Sequence, residues 1–322
     1  MYKVVYVLVD NENLKFTNEL MISLMSLRNK MPQIKISVIT DKNTYKILEY
    51  KKHPIFKYSD IKGIEISNEY SQKEKSRFLK TSLRRYIKGD FLFVDTDTVV
   101  CSKFPEAISD ADIAMVLDYN CLISNRLDRE GVKALNELCG IKFEDVETYY
   151  NSGVIWVKDN ANAREFYEEW HNCWKQTLKK GFPFDQPAIN YVARGKTGVV
   201  KELPSIWNVQ VSVQPTPINS FNDAIIIHYF NIKESPYLLC NDLIKAKRYD
   251  DPEIKRIISY PQMAFDRCML LKLDNVEQEF FMSKSYKLMR TIFKNAHGLF
   301  TVFENIIVFS CKIFKIFKLN KK

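Results

Sequence analysis

The sequence predicts an α/β fold, a doubly wound and mostly parallel sheet followed by a helical C-terminal extension. Three observations carry this. Short apolar runs recur that close in polar loops, as in Val4–Val9 before Asp10-Asn11-Glu12-Asn13. Helical periodicity fills the intervals between those runs. Beyond about Leu243 the strand signals stop. Continuous apolar runs mark strands buried on both faces, and strand alternating with helix calls for a parallel sheet covered by its crossovers. A chain of 322 residues buries one substantial core and leaves sequence over. We therefore expect a catalytic-size domain over residues 1–245 and an extension over 246–322, its tail running over about 284–322.

The elements follow in order. Val4–Val9 is the first strand, and Leu20, Ser23, Leu24 and Leu27 share one face of a helix over Phe16–Lys30. Ile34–Ile39 is a second strand, Asn43–Lys51 a helix and Ile61–Ile66 a third strand. A basic helix over Lys73–Lys88 leads into the strand Phe91–Val94. Ile113–Leu117 and Val154–Val157 are further strands. Phe166, Trp170, Cys173, Trp174 and Thr177 line one face of a helix over Asn162–Lys179. Ala224–His228 is a last short strand, after which helices are expected over Pro252–Ile258, Ser283–Lys294 and Leu299–Leu319.

Charge and cysteine usage narrow the function. Nine of the basic residues and a single acid, Glu304, fall after residue 282, so eight of the nine net positive charges belong to the tail. A nucleic-acid binder spreads its charge over a folded face; no nucleic-acid partner is expected. Seven cysteines, an odd number without a CxxC pair, suggest reduced thiols and a cytoplasmic setting. The N-terminus has no signal-peptide layout and opens directly as a strand.

The chemistry concentrates in Phe91–Val100, FLFVDTDTVV. Four apolar residues bury a strand, so Asp95 and Asp97 emerge at the carboxyl edge of the sheet, where open α/β folds bind ligands. Residues two apart in extended chain face one side. Two carboxylates so close repel unless a hard cation such as Mn²⁺ or Mg²⁺ compensates them. An ordinary surface turn also accommodates Asp-Thr-Asp.

Four features stand in a telling order: this motif, Tyr150-Asn151-Ser152-Gly153-Val154, Asp185-Gln186 before a helix, and His228 closing a late strand. Over about residues 1–240 the chain resembles the GT-A glycosyltransferases, most closely glycosyltransferase family 8, the glycogenin and lipopolysaccharide galactosyltransferase group. The resemblance implies that Asp95, Asp97 and His228 ligate the metal that bridges a nucleoside diphosphate, with Thr96 between them. A histidine satisfied within the core is the other reading of His228. Arg77 and Lys80 resemble the family's basic residues near the donor; at i, i+3 they share a helix face, which Arg84, Arg85 and Lys88 equally suggest is solvated. Asp10, Asn11 and Asn13 stand where the family binds nucleobase and ribose, or cap the next helix. Asn151 and Gly153 stand where backbone approaches a sugar; a turn before a strand is the other reading, and it accounts for Gly153 better than for Asn151. Asp185 and Gln186 stand at the donor sugar and reaction centre, or form an acidic helix cap. Asp118 follows a strand and is a candidate for sugar hydroxyls by position. Lys233 occupies the place of a phosphate-binding lysine, but Gly is absent beside it and the family's Pro-Trp becomes Pro236-Tyr237.

The expected reaction is transfer of a hexosyl unit from a nucleotide-sugar, by resemblance a UDP-sugar, to an acceptor hydroxyl with retention. The expected setting is bacterial-type surface glycan synthesis on a glycan or lipid-linked acceptor. Two rivals exist. A haloacid-dehalogenase-type phosphatase would use Asp95 as nucleophile in Asp-x-Asp-x-Thr/Val, although its later acidic motif is missing and such a motif normally opens the domain. A non-catalytic membrane-surface binding protein would use the fold only as a scaffold. The tail, Leu299–Leu319, gathers Thr301, Glu304, Asn305, Lys312, Lys315 and Lys318 in one arc, with Phe and Ile residues elsewhere. That is an in-plane amphipathic helix suited to an anionic membrane, and peripheral membrane association is expected. A helix packed on the domain or on a second subunit is the alternative.

Overall fold

The computed structural model describes all residues except 1, 127, 143–147, 212–217, 231–241, 265–282 and 320–322, and describes no side chains at 218–219, 264, 287 and 311–319. The chain divides into two compact units, residues 1–271 and 272–322.

The first unit opens with β1 (Lys3–Leu8), α1 (Lys15–Lys30), β2 (Ile36–Asp41), α2 (Lys42–Tyr50) and β3 (Asp60–Ile64). β1 pairs parallel with β2, and β2 with β3. Asp41 ends its strand and caps α2, its carboxylate accepting from the Thr44 amide at 3.2 Å. α3 (Gln72–Thr81) begins with a reciprocal capping box between Ser71 and Glu74. It carries the chain back across β1, so that β4 (Phe91–Val94) pairs parallel on β1's other edge. Strand order therefore reverses between β1 and β4, opening a crevice at their carboxyl ends.

The basic helix is shorter than the charge pattern predicts. Ser82 turns its hydroxyl onto the Phe78 carbonyl at 2.6 Å, and the chain tightens into a 3₁₀ turn at Leu83–Arg85. Arg84 is consequently buried instead of solvated, donating to the Gly89 carbonyl at 2.9 Å.

After β5 (Thr98–Val100) come β6 (Ile113–Leu117), α4 (Arg129–Leu138), β7 (Tyr150–Val157), α5 (Ala161–Lys179), α6 (Gln186–Arg194) and β8 (Val200–Glu202). The main sheet has the order β3-β2-β1-β4-β7-β6-β8. β7 runs antiparallel to both its neighbours, while β8 is parallel to β6. β9 (Val209–Gln210), α7 (Ile218–Asn222) and β10 (Ile226–His228) follow. β10 joins β5 and β9 in a small second sheet, in a register that sets His228 opposite Thr98.

Alternation along the strands feeds two cores. Val4, Tyr6 and Leu8 pack with Leu20, Leu24 and Leu27 of α1 on one face. Val5, Phe91, Phe93 and Ile155 pack with Leu79 of α3 and Phe166, Trp170 and Trp174 of α5 on the other. α8 (Pro252–Ser259) buries Ile254, Ile257 and Ile258 in the first core, and Lys30 of α1 donates to the Ser259 carbonyl at 3.0 Å. The compact unit thus runs past residue 245, where the sequence suggested it would stop.

In the second unit, Ser283 caps α9 (Lys284–Asn295), accepting from the Tyr286 amide at 3.1 Å. α10 (His297–Leu319) follows, and Phe293 packs edge-on against the rings of His297 and Phe300, centroids 4.8 and 5.0 Å away. Val302, Phe303, Ile306, Ile307, Val308 and Phe309 are exposed. Among the described residues no helix is long and apolar enough to cross a membrane.

Candidate active site

The acidic loop is tethered at both ends. The Asp95 amide donates to the Gly153 carbonyl at 2.8 Å, and the Tyr229 amide donates to the Asp97 carbonyl at 3.0 Å. Thr98 hydroxyl bonds to the Asp95 carbonyl and lies 2.8 Å from the Ser23 hydroxyl of α1. This anchoring and the β5–β10 register bring Asp95, Asp97 and His228 together, with one ligand atom of each within 4.8 Å of the others.

His228 Nε2 lies 3.1 Å from Asp97 Oδ1. Loss of water pushes the His228 pKa down, but Asp97, with Asp95 behind it, pulls it above its ordinary value. Desolvation pushes Asp97 up, but His228, a backbone hydrogen bond and Lys80 together hold it below the usual carboxylate range. Asp95 is pushed up by desolvation and by Asp97, against the pull of Lys80. His228 meets one carboxylate and Lys80 the other, and two carboxylates so close favour a compensating cation. Two carboxylates and an imidazole suit Mn²⁺ or Mg²⁺, and the donor set fits such an ion.

Lys80 and Arg77 project from α3 onto this group. Lys80, 3% exposed, sets Nζ 3.1 Å from Asp95 Oδ2, 3.3 Å from Asp185 Oδ2 and 3.2 Å from the Ser152 hydroxyl. Arg77 Nε is 3.1 Å from Asp185 Oδ1, an ion pair. Burial pushes the Asp185 carboxyl up, yet Lys80, Arg77 and the Ser152 hydroxyl together hold it at about 2. Asp185 precedes α6 but makes no side-chain cap; the loop carrying it is pinned from α5, where Trp170 donates to its carbonyl and Trp174 to that of Pro183, both at 3.1 Å. Gln186 Oε1 accepts from the Ser152 amide at 3.3 Å.

β7 delivers Asn151, Ser152 and Gly153 to the same edge. A Cβ at Gly153 would stand 2.3 Å from His228 Cε1, so the close approach that requires glycine here is that of the imidazole. Asn151 Nδ2 donates to Asp118 Oδ1 at 2.8 Å, and Arg126 grips Asp118 from the far side. Beyond β6, Tyr119 and Asn120 hold positive φ of 54° and 55°, a conformation costly for residues with side chains. Hydrogen bonds to Asn208 and Gln210 secure it.

Two cavities of about 520 Å³ meet here, sharing Lys73, Arg77, Lys80, Asp95 and Asp97 as a common wall. The first lies over the ends of β1 and α3 and is closed by Phe16 and Glu19. The second holds Asp118, Asn151, Asp185, Gln186 and His228, with Tyr119, Phe184 and Phe230.

A family model for glycosyl transferase family 8 matches residues 7–234. The chain belongs to glycosyltransferase family 8. Among solved structures, it is similar to mouse xyloside xylosyltransferase 1 in its apo form, with 11% identity, 71% of this chain and 97% of that chain covered, and a TM-score of 0.48. It is also similar to the galactosyltransferase LgtC in complex with donor and acceptor sugar analogs, with 16% identity, 79% and 95% covered and a TM-score of 0.48. No curated protein matches the chain significantly in sequence.

As a family 8 member the protein is a glycosyltransferase of GT-A fold acting on a nucleotide-sugar. The phosphatase and non-catalytic readings fall with that assignment. Of the residues singled out from sequence, this enzyme gathers Arg77, Lys80, Asp95, Asp97, Asn151, Asp185, Gln186 and His228 around the second cavity, while Thr96 lines only the first. Asp10, Asn11 and Asn13 line neither. Asp10 turns inward, accepting from the Thr17 amide at 2.6 Å and its hydroxyl at 2.8 Å in the first turn of α1. Asn11 closes a local turn by accepting from the Asn13 amide at 2.9 Å. Lys233 lies outside the described residues. Sequence reasoning missed Glu19, Arg126 and Asn208. Among the described residues Glu19 has no hydrogen-bond or ion-pair partner, and burial beside Asp97 pushes its carboxyl up to about 7.

Proposed function

We propose that this family 8 enzyme transfers a hexosyl unit from a UDP-sugar to an acceptor hydroxyl with retention, using Mn²⁺ or Mg²⁺ held by Asp95, Asp97 and His228. The observation that supports this best is the convergence of those three side chains on the wall shared by two cavities. The nucleoside goes to the first cavity and the sugar to the second, which sets the diphosphate against the shared wall. A divalent ion there supplies Lewis-acid neutralisation of the departing diphosphate. Arg77 and Lys80 stabilise the same charge. Asp185, held at about 2 by its two cations, stays ionised at neutral pH. It is too weak a base to take a proton, so its role is to position the donor and stabilise positive charge at the anomeric carbon. Gln186 and Asn151 position sugar hydroxyls beside it, and Lys233 is assigned to the phosphates by the family pattern.

The acceptor is a glycan or a lipid-linked glycan in surface polysaccharide synthesis, and the enzyme works at an anionic membrane from the cytoplasmic side. Support for this comes from the exposed apolar residues of α10 within a segment carrying nine basic residues and one acid.

The test is a panel of nucleotide-sugars with Mn²⁺, read as nucleotide release, in wild type and Asp97→Asn. UDP release with one sugar, falling by about a hundredfold or more in the variant, is expected. Equal rates in both would remove the metal-based reading.

A further inference from the structure

Asn208 sits at the end of a short 3₁₀ turn just before β9 and is 0% exposed. Its Oδ1 lies 3.2 Å from His228 Nδ1, and its Nδ2 donates to Asn151 Oδ1 at 2.9 Å. Asn151 Oδ1 also accepts from the Gly153 amide at 2.8 Å, while its Nδ2 faces the Asp118 carboxylate at 2.8 Å.

The polarity of this chain is fixed at both ends. A backbone N–H only donates and an ionised carboxylate only accepts, so the Asn151 amide has a single permitted orientation. Its oxygen then requires a donor from Asn208, which turns the Asn208 oxygen toward the imidazole. A carbonyl oxygen accepts, so His228 Nδ1 must carry hydrogen. Nε2 faces the Asp97 carboxylate, also an acceptor, so without a cation the ring carries hydrogen there too; a cation at that place would displace this proton and take the Nε2 lone pair of the Nδ1–H ring.

We infer that Asn208 is a positioning residue: it selects the Nδ1–H form of His228, presents Nε2 to the cation, and ties that choice through Asn151 to Asp118 in the sugar cavity. Partners on the far nitrogen of a metal-bound histidine set its tautomer and ring orientation. Asn208 reaches this place because its main chain is also held. Its amide donates to the Ser205 carbonyl at 3.0 Å, and its carbonyl accepts from Asn120 Nδ2 at 2.8 Å. A side-chain substitution leaves those two bonds in place.

The inference rests on the metal reading above, and its test separates the two. In metal-free full-length protein with ¹⁵N-labelled histidine, four rings give a tractable spectrum. At mildly alkaline pH, His228 Nδ1 is expected to be protonated in wild type and in Asn208→Asp, which keeps an acceptor. In Asn208→Leu, the neutral ring moves its proton to Nε2. Mn²⁺ titration followed by electron spin resonance then reads affinity and the ¹⁴N coupling of the bound ion. Asn208→Leu is expected to weaken Mn²⁺ by about tenfold or more and reduce that coupling, and Asn208→Asp to retain both. An unprotonated Nδ1 in wild type, or a folded Asn208→Leu with wild-type tautomer and affinity, overturns the inference. If the leucine variant does not fold, loss of Nδ1 protonation and of ¹⁴N coupling in Asn208→Asp overturns it equally. Wild-type protein showing the expected tautomer yet binding no Mn²⁺ would sink the metal reading and leave the tautomer assignment standing.

Discussion

At the scale of single residues, space and charge are both used to their limit. Gly153 leaves room for the His228 ring, and a methyl group would have to displace the ring by more than a small adjustment. Gly153→Ala is expected to fold yet lose about tenfold or more in Mn²⁺ affinity, measured by calorimetric titration. Asp185 makes a prediction about acid. The fold lowers its pKa from 3.8 to about 2, so the fold favours the ionised form. The stability that results is present in full above about pH 4 and is lost as pH falls through about 2. It amounts to about 2 kcal/mol. Urea unfolding of Asp185→Asn should show a deficit of that order at neutral pH, shrinking as the acid limit is approached. A deficit constant with pH would contradict the assigned pairing. Asp95 and Asp97 were readable because four apolar residues announce a strand and the carboxylates end it. Asn208 was not, since its meaning depends on side chains 20 and 57 positions away in the chain. Glu19 was hidden inside an amphipathic helix whose polar positions read as solvent-facing.

Elements translate those residues into position. α3 holds Arg77 and Lys80, and its start is set by the Ser71–Glu74 box. Ser71→Ala should cost about 1 kcal/mol in denaturant unfolding and raise the KM for the donor more than it lowers kcat, because both cations ride on the helix that this cap starts. The end of α3 was misread from charge alone: Ser82 competes for the Phe78 carbonyl and stops the helix at Thr81. Helices with a strong apolar stripe were the readable ones. α5 announced itself through Phe166, Trp170 and Trp174, though not that two of its indoles would hold the loop bearing Asp185. Strands of two or three residues, such as β8 and β9, carry too little pattern to be seen in advance.

For the whole molecule, the sequence conveyed the architecture better than its limit. Strand signals end near residue 243, but Ile254, Ile257 and Ile258 continue the core, and the first compact unit reaches residue 271. Helical additions to a sheet domain lack the signature used to delimit it. The second unit holds most of the net charge together with exposed apolar side chains. Removing residues 284–322 should leave a core whose unfolding transition is unchanged, while co-sedimentation with anionic vesicles is lost. Retention of vesicle binding after the deletion would move the membrane contact elsewhere.

The reversed direction of β7 has a bearing on where this protein can change. Every other strand of the main sheet reaches the ligand edge as it finishes, whereas β7 begins there, and its finish at Val157 lies at the opposite rim. The connection that follows, Lys158–Asn160, is thus a backstage joint: its neighbours are Asp90 and Asp112, which precede β4 and β6 at that far rim. An edit at that rim leaves the ligand edge untouched, while the same edit one strand-length earlier would tear through its chemistry.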